Sequence, residues 1–427
     1  MWSRLSCWLA LVCVAARLAA SAEPVKTPAS NSAPGKLRVK EQTVCFAQPR
    51  PDKAVYELAT YASPRGPELL RLRTEEIKAD ITTNYELSFS GDHGDTWSGS
   101  VTLDSSRPTP QGMFRAMYFS PPFCDPHNGR LLLVGEEGVL PSDSALDAYK
   151  HLYTAYRTSS DQGRTWSPAR RVIQDGPEYS AEHPLASVYL GKNASQTANV
   201  VYSRDDGAVV VPLQLSVLRD DKLYLPPGAY TYLDAAMLIG RWQDDGSLRW
   251  NLGARINLPP EKSLRGAFEP TVMEFPGGRM LVVLRANDGR KWYAVSRDGG
   301  LTWGEVRRWT YTDGTPFYSS SGFSLLVRHS DGTRYWFGNI SETVPKGNGP
   351  RYPLVVGRVD PETLLLDKDS ITVIDDRRAG DSEKLHLSNF NVVEDRRNGD
   401  FLLRMPRRDD GKPPALPASV NLYRIGR

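Results

Sequence analysis

The sequence is poor in cysteine, in histidine and in long apolar runs. It has 4 cysteines and 6 histidines among 427 residues, too few for a disulfide scaffold or a set of structural zinc sites. Lysine and arginine total 53 against 50 aspartates and glutamates, so the formal net charge is only +3, and the chain contains no concentrated basic block. This balance argues against a nucleic-acid partner. Frequent Gly, Pro and Asp-Gly pairs exclude a mainly helical protein.

Residues 1–22 predict a signal peptide. A short positive start with Arg4 precedes the apolar run Leu5–Ala16, and the small residues Ala20 and Ala22 suit a cleavage site. The run is too short to span a bilayer, and no later segment has eighteen consecutive apolar residues. We therefore expect a secreted or periplasmic protein without an integral membrane segment after signal removal.

Residues 23–40 predict a flexible leader, because Pro, Ser and Lys dominate them. The folded domain is then expected over residues 41–427. Only Cys45 and Cys124 follow the predicted signal peptide. Two cysteines allow a single bridge at most, so stability must come from a packed core.

One pattern, Ser-x-Asp-x-Gly-x-Thr-Trp, occurs three times, at residues 90–97, 159–166 and 296–303. Each copy follows a short alternating run that reads as a strand, and a strand leading into Asp-x-Gly predicts a β-hairpin. The Asp side chain can accept bonds from the turn's own amides, and the Gly supplies a positive φ. A degenerate fourth copy lies at residues 243–250.

The tryptophans of successive copies lie 53 to 84 residues apart. That spacing is too long for one hairpin and fits a four-stranded unit with variable loops. Residues 41–427 have room for six such units. The sequence therefore predicts an all-β fold, a six-bladed β-propeller with the repeats as hairpins.

The repeat resembles the Asp box, also called the BNR repeat, of the sialidase (neuraminidase) superfamily. The resemblance implies a six-bladed propeller in which the boxes are structural and lie at the blade periphery. It also implies a retaining glycosidase site with three arginines that bind the substrate carboxylate, a Tyr nucleophile activated by a Glu, and an Asp as acid and base. Guanidinium groups suit a carboxylate because they bind it bidentately.

Two segments of the C-terminal half are similar to the family pattern. Phe268–Glu274 followed by Gly278–Arg285 resembles the segment that carries the activating Glu and the second arginine. The resemblance thus implies that Glu269 is the catalytic Glu and that Arg285 binds substrate. A later segment, residues 349–356, resembles the one with the third arginine, which would be Arg351.

The chain departs from the family pattern at the other three positions. The expected first arginine is absent from residues 46–49, and Arg50 and Arg65 are both open as substitutes. No Asp stands where the acid/base is expected, in residues 69–76. His386 lies within one residue of the expected Tyr nucleophile, and we expect it to face Glu269 as a general acid/base partner.

Further residues extend the predicted site. Arg115 and Tyr118 lie where a strand of the second blade is expected to begin, and either Arg71 or Arg73 can add another charge; we take Arg73 as the candidate. A positive central cleft in a neutral protein would concentrate an anionic ligand. The substrate expected from this pattern is an acidic glycan, carrying a sialic acid, a uronate or a sulfated sugar.

Three functions remain open from the sequence. The first is a secreted sialidase-like exo-glycosidase that releases a terminal acidic sugar. The second is a polysaccharide lyase on uronate glycans, with His386 as the base that abstracts the proton α to the carboxylate. The third is a carbohydrate-binding propeller without catalysis. We expect a monomer with no cofactor and no metal site.

Overall fold

A computed structural model describes residues 35–46, 54–78, 81–410 and 419–427. The predicted signal peptide and most of the predicted leader lie outside these ranges. The first strand, β1 (Arg38–Phe46), begins inside the range predicted as leader, and Leu37 packs in a hydrophobic cluster. The last residues of that range therefore belong to the folded domain.

The predicted all-β fold is confirmed, since the described residues contain thirty strands, one short α-helix and one 3₁₀ turn. The first sheet has four antiparallel strands in chain order. They are β2 (Ala54–Tyr61), β3 (Leu69–Lys78), β4 (Ile81–Ser90) and β5 (Val101–Asp104). Because side chains alternate along a strand, Tyr56 and Leu58 share one face of this sheet while Glu57 lies on the other.

The second sheet has eleven strands. They are β6 (Arg107–Thr109), β7 (Gly112–Met117), β8 (Phe123–Cys124), β9 (Leu131–Leu140), β10 (Tyr153–Ser159), β11 (Arg170–Arg171), β12 (Ser195–Thr197), β13 (Tyr202–Ser203), β14 (Val209–Ser216), β17 (Leu233–Trp242) and β18 (Leu248–Leu252). A single parallel pair, Tyr153 with Ser195, joins its two halves. Helix α1 (Ala148–His151) and the small hairpin of β15 (Leu218–Arg219) and β16 (Lys222–Leu223) lie in its connections.

Two further sheets repeat the four-stranded antiparallel order. The first comprises β19 (Phe268–Phe275), β20 (Arg279–Arg285), β21 (Lys291–Ser296) and β22 (Arg307–Arg308), and the second β23 (Leu325–Arg328), β24 (Arg334–Asn339), β25 (Leu354–Arg358) and β26 (Thr372–Asp375). The 3₁₀ turn Lys368–Ser370 precedes β26. The last sheet contains β27 (Leu385–Leu387), β28 (Asn391–Glu394), β29 (Phe401–Asp409) and β30 (Val420–Gly426). Strand β1 pairs with β30, so the first and last described strands share a sheet.

The three repeats form the predicted hairpin turns. In the second copy Asp161 accepts the Thr165 backbone N–H at 2.9 Å and the Thr165 hydroxyl at 2.6 Å. Gly163 has φ +83° and donates its N–H to Ser159 Oγ at 2.9 Å. The other two copies repeat these bonds. Each repeat follows the third strand of its unit and leads to a short outer strand, away from the inner strands that build the site.

The cores lie between neighbouring sheets, as expected for sheets that each need to bury both faces. One cluster centres on Trp250 of the degenerate fourth repeat and another on Trp309 and Trp336. Cys45 and Cys124 are separate free thiols. Among the described helices none has the length and apolar character needed to cross a lipid bilayer.

Candidate functional site

A cavity of about 220 Å³ lies where the inner strands of the sheets converge. Strands β2, β3, β9, β12, β14, β19 and β20 each contribute at least one side chain to its wall. Its polar lining residues include Tyr56, Glu76, Glu136, Gln196, Thr197, Gln214, Arg265, Glu269, Arg285, Asn348, Arg351 and Asn389. We call the part formed by Arg265, Arg285, Arg351 and Glu269 the arginine side, and the part formed by Tyr56, Glu76 and Glu136 the carboxyl side.

Arg285 is the best anchored cation of the arginine side. It ends strand β20, its side chain is 9% exposed, and it forms an ion pair with Glu269. Its Nε donates to Ser321 Oγ at 3.2 Å and its Nη2 donates to Asn348 Oδ1 at 3.2 Å. The guanidinium is therefore held rigidly in the wall of the cavity.

Arg265 and Arg351 complete the arginine side. Arg265 lies over the rings of Tyr230 and Phe268, at 4.3 and 4.4 Å, and burial together with the Arg285 charge lowers its pKa. Arg351 donates its Nε–H to the Asn348 carbonyl at 3.0 Å. The arginine side thus has three guanidinium groups and one carboxylate, Glu269.

Glu269 is a strained and ionised residue. Its φ of +41° is unusual for a side chain with a Cβ, and it follows Phe268 at an irregularity in the β19–β20 pairing. Burial alone would raise the pKa of Glu269, but the Arg285 guanidinium outweighs burial and lowers it. Only Oε1 bonds to Arg285; Oε2 has no hydrogen-bond partner among the described residues.

Lys291 lies directly behind the arginine side. It pairs with Arg285 across strands β20 and β21, is 1% exposed, and donates its Nζ–H to the Gly322 carbonyl at 2.6 Å. Burial, reinforced by the Arg285 charge, lowers the pKa of Lys291 to about 7. The positive charges of its neighbours disfavour a fourth cation at this place, and the lysine is only partly protonated at neutral pH.

Glu136 is the most deeply buried group of the carboxyl side. It lies on strand β9, is 1% exposed, and accepts the Thr197 N–H at 2.9 Å and the Thr197 hydroxyl at 2.7 Å, both on Oε2. Burial raises its pKa to about 8, although the two Thr197 bonds oppose the shift. Glu136 therefore carries a proton at neutral pH, while Glu269 in the same cavity does not.

Tyr56 and Glu76 form the rest of the carboxyl side. The Tyr56 hydroxyl donates to Glu76 Oε2 at 2.5 Å across strands β2 and β3, and Arg408 Nη1 donates to the same oxygen at 3.0 Å. Burial and the Glu76 charge raise the pKa of Tyr56. The phenol is thus neutral at rest, with a carboxylate in position to take its proton.

His386 lies in a smaller hollow of about 150 Å³ beside the main cavity. Tyr56, Glu76, Arg351 and Asn389 line both spaces. His386 lies near Asp410, with Nδ1 3.8 Å from Oδ2. Burial and the Arg351 charge lower the pKa of His386 to about 4. The expected Glu269–His386 pair is not among the contacts of the described residues: His386 lies in the smaller hollow, whose lining does not include Glu269, and the ion-pair partner of Glu269 is Arg285.

Arg73 and Arg115 do not belong to the lining of the cavity. Arg73 points to the opposite face of the first sheet from Tyr56, where its Nη2 donates to Glu57 at 2.6 Å. Arg115 is 4% exposed in its side chain and forms an ion pair with Asp143 at 2.7 Å. Both arginines are engaged in structural ion pairs with Glu57 and Asp143. Contrary to the expectation, neither adds positive charge to the lining of the cavity.

Tyr118 lines the cavity, but its hydroxyl is engaged elsewhere. It lies 3.1 Å from Arg157 Nε, which donates to it, and 3.3 Å from Asp104 Oδ2. Of the two substitutes considered for the first arginine, Arg50 lies outside the described residues and Arg65 is exposed in the β2–β3 turn. Arg265 takes the third place on the arginine side.

The residues missed by the sequence analysis are Tyr56, Glu76, Glu136 and Arg265. The sequence did carry a sign that Glu136 is unusual. It directly follows Gly135 and the apolar run Leu131–Val134, in a strand that reads as buried on both faces. Tyr56 and Glu76 carry no comparable signal, since strands with alternating polar residues are ordinary. Within the described residues, no group of three or more His, Cys, Asp or Glu side chains lies close enough to hold a metal ion.

The arrangement suits acid/base chemistry on an anionic ligand. The arginine side binds negative charge, and the carboxyl side contains a protonated carboxyl group and a phenol hydrogen-bonded to a carboxylate. Environments that separate the pKa values of acids in one cavity typically mark acid and base roles.

Comparison with known proteins agrees with this fold. Residues 71–371 match the family model described as a BNR repeat-like domain, which confirms the resemblance to the sialidase and BNR superfamily. No curated protein matches the sequence. The structure is similar to that of a protein of unknown function from Dyadobacter fermentans, with 15% identity and a TM-score of 0.59 over 91% of this chain and 99% of the other.

Two sialidase structures are also similar. The K499G mutant of the NanB sialidase from Streptococcus pneumoniae has 14% identity and a TM-score of 0.57, over 90% of this chain and 70% of that one. The intramolecular trans-sialidase from Ruminococcus gnavus, in complex with oseltamivir carboxylate, has 14% identity and a TM-score of 0.53, over 87% and 93%. At these identities the likeness concerns the fold.

Proposed function

The chain belongs to the BNR repeat-like domain family, and from that premise we propose that it is a glycoside hydrolase that releases a terminal acidic sugar in the central cavity. The observation that carries the proposal is the pairing of the arginine side with a buried, protonated Glu136 in one cavity. The fold we propose with it is a six-bladed propeller. The sheet order supports this count: divided at the single parallel pair between β10 and β12, the sheets give six groups of four to six strands.

Arg265, Arg285 and Arg351 would bind the carboxylate of the sugar. Guanidinium groups in a partly dehydrated wall bind a carboxylate strongly and bidentately. Glu269 keeps Arg285 in position and leaves the arginine side with a net positive charge.

Bond cleavage would involve the carboxyl side. Glu136 donates its proton to the leaving oxygen as the bond to the anomeric carbon breaks. The Tyr56 oxygen attacks that carbon and its proton passes to Glu76. A tyrosine nucleophile avoids repulsion between an anionic nucleophile and the substrate carboxylate, as in sialidases. Water then attacks the anomeric carbon of the glycosyl–tyrosine intermediate and gives its proton to ionised Glu136. The bond from that carbon to the Tyr56 oxygen breaks, and Tyr56 recovers its proton from Glu76.

Product analysis tests the proposal. The purified protein is incubated with 4-methylumbelliferyl glycosides of N-acetylneuraminic acid and of glucuronic acid, and with natural glycans that end in either sugar. We expect release of a free acidic sugar by the wild type, and loss of release in Glu136→Gln and in Tyr56→Phe. An unsaturated, ultraviolet-absorbing product would identify a lyase, and ligand binding without any release would identify a binding protein; both would contradict the proposal.

A further inference from the structure

Two glutamines lie side by side at the junction of the two sides of the cavity. Gln196 on β12 and Gln214 on β14 are direct cross-strand partners, and both line the cavity. Directly opposite residues in an antiparallel pair point to the same face. The two amides therefore form a neutral platform between Glu136 and Glu269.

Hydrogen bonds link this platform, or the residue next to it, to both sides of the cavity. Thr197, next to Gln196, binds Glu136 through its N–H and its hydroxyl. Gln214 Oε1 accepts the Glu269 N–H at 3.4 Å. The platform is thus connected to the proton-carrying carboxyl at one end and to the arginine side at the other.

Two acceptor oxygens of this region have no partner in the described part of the chain. Gln196 is 5% exposed and its Oε1 is buried without a hydrogen bond, and the same holds for Glu269 Oε2. A buried acceptor without a donor is destabilising, and nearly all such groups in folded proteins are satisfied. Both residues line the cavity, so both oxygens are available to donors of a bound molecule.

We propose that Gln196 Oε1 and Glu269 Oε2 accept hydrogen bonds from hydroxyl or N–H groups of the bound acid, and that they select a polyhydroxylated acid over a plain carboxylate. This inference rests on the proposed function, because the arginine side supplies the binding of the carboxylate itself. A site built to bond a ligand hydroxyl discriminates strongly against an analogue that lacks it, because its own polar groups are then left unpaired.

The test compares two probes by titration calorimetry, N-acetylneuraminic acid and cyclohexanecarboxylate. Both offer a carboxylate to the arginines, and only the first offers hydroxyl and N–H donors. The variant is Gln196→Met, which keeps the volume and removes the acceptor; Gln111→Met, at an exposed position away from the cavity, is the matched control. We expect Gln196→Met to weaken binding of N-acetylneuraminic acid about tenfold and to leave cyclohexanecarboxylate unchanged.

Thermal unfolding separates this role from a structural one. Because Gln196→Met removes an unpaired buried acceptor, its Tm should equal or exceed that of the wild type. A lowered Tm together with equal loss of both probes would assign Gln196 to packing and overturn the inference, as would unchanged binding of both probes. In either of these cases the proposed function stands. If the wild type binds neither probe, the inference fails, and release of glucuronic acid in the product analysis then decides separately whether the proposed function stands.

Discussion

The two sides of the cavity solve opposite electrostatic problems. On the arginine side three guanidinium groups surround one carboxylate, and the charge added by Lys291 behind them is reduced by the low pKa of that lysine, which burial and the Arg285 charge lower to about 7. On the carboxyl side burial raises the pKa of Glu136 to about 8, and no cation of the described residues bonds to it. One side thus keeps a carboxylate charged and lowers the charge of an amine, and the other keeps a carboxyl group neutral.

The difference shows that neighbours, and not burial alone, decide the charge of an acid in this cavity. Glu269 and Glu136 are both sheltered from water, and desolvation is the largest influence on the pKa of each. The Arg285 guanidinium reverses that influence at Glu269, whereas the Thr197 donors only moderate it at Glu136. A charged group can therefore bind a ligand and a neutral one can donate a proton within the same space.

The largest effect on the rate of sugar release is expected from removing the proton that Glu136 carries on the carboxyl side. Glu136→Gln keeps an oxygen that can accept the Thr197 bonds but has no proton to give to a leaving group. The rate of sugar release should fall by about 10²- to 10⁴-fold, measured as kcat on the 4-methylumbelliferyl glycoside that the wild type cleaves.

Glu137→Gln is the matched control for this prediction. Glu137 is the next residue, and its carboxylate faces Arg157 at 3.5 Å on the other side of the strand. Equal losses of kcat in the two variants would mean that damage to strand β9, and not proton donation, is the cause.

The next largest effect is expected on stability, and it tests whether the arginine side depends on the ion pair between Arg285 and Glu269. Arg285→Met leaves Glu269 as a carboxylate without its partner, and breaking a sheltered ion pair in this way costs about 3–5 kcal/mol of unfolding free energy. The double variant Arg285→Met/Glu269→Gln should recover a large part of that loss. Urea denaturation measures both.

Arg249→Met provides the comparison for a surface charge. Arg249 is 59% exposed and lies 3.8 Å from Asp175, so its loss should change stability little. If Arg285→Met is as mild as Arg249→Met, or if the double variant recovers nothing, the coupling of Arg285 and Glu269 described here is wrong.

The contributions of Glu136 and Lys291 to stability should also change with pH in opposite directions. The pKa of Glu136 rises on folding from 4.5 to about 8, so the native state holds a proton that the unfolded state has lost, and stability falls as the pH rises through this window. The pKa of Lys291 falls on folding from 10.5 to about 7. The unfolded state then holds the extra proton, and stability rises between these two values.

Urea denaturation across pH 5 to 10 measures these slopes. Relative to Glu136→Gln, the wild type should lose up to about 1.4 kcal/mol per pH unit between pH 5 and 8. Relative to Lys291→Met, it should gain by a similar slope above pH 7. Parallel curves for the wild type and either variant would show that the corresponding group titrates normally.

The sequence predicted the repeats and the arginine side far better than the carboxyl side. The repeats are local, since Ser, Asp, Gly, Thr and Trp bond to one another within eight residues, and Glu269, Arg285 and Arg351 lie in segments that resemble a family pattern. Their positions on one wall could therefore be expected before the structure was known. Arg73 and Arg115 do not line the cavity, because strand alternation turns Arg73 toward Glu57 and because Arg115 is paired with Asp143.

The carboxyl side could not be predicted because its members are brought together only by the sheets. Tyr56 meets Glu76 through the register of β2 and β3, and Glu136 meets Thr197 across strands that are 61 residues apart in sequence. The expected partner of Glu269 was His386, but the residue that forms an ion pair with Glu269 is Arg285. Long-range pairing of this kind decides which polar residue faces the cavity.

The smallest effect is expected far from both sides, in the second repeat. Asp161→Asn replaces the acceptor that holds Thr165, and the low pKa of Asp161, about 2, arises first from the Thr165 hydroxyl bond. We expect a decrease of about 2 °C in Tm and no change in kcat. Because the turn is exposed and follows the third strand, its loss cannot reach the inner strands that carry Glu136 and Arg285. A fall in kcat at unchanged Tm would contradict this and would mean that the repeats do more than close their hairpins.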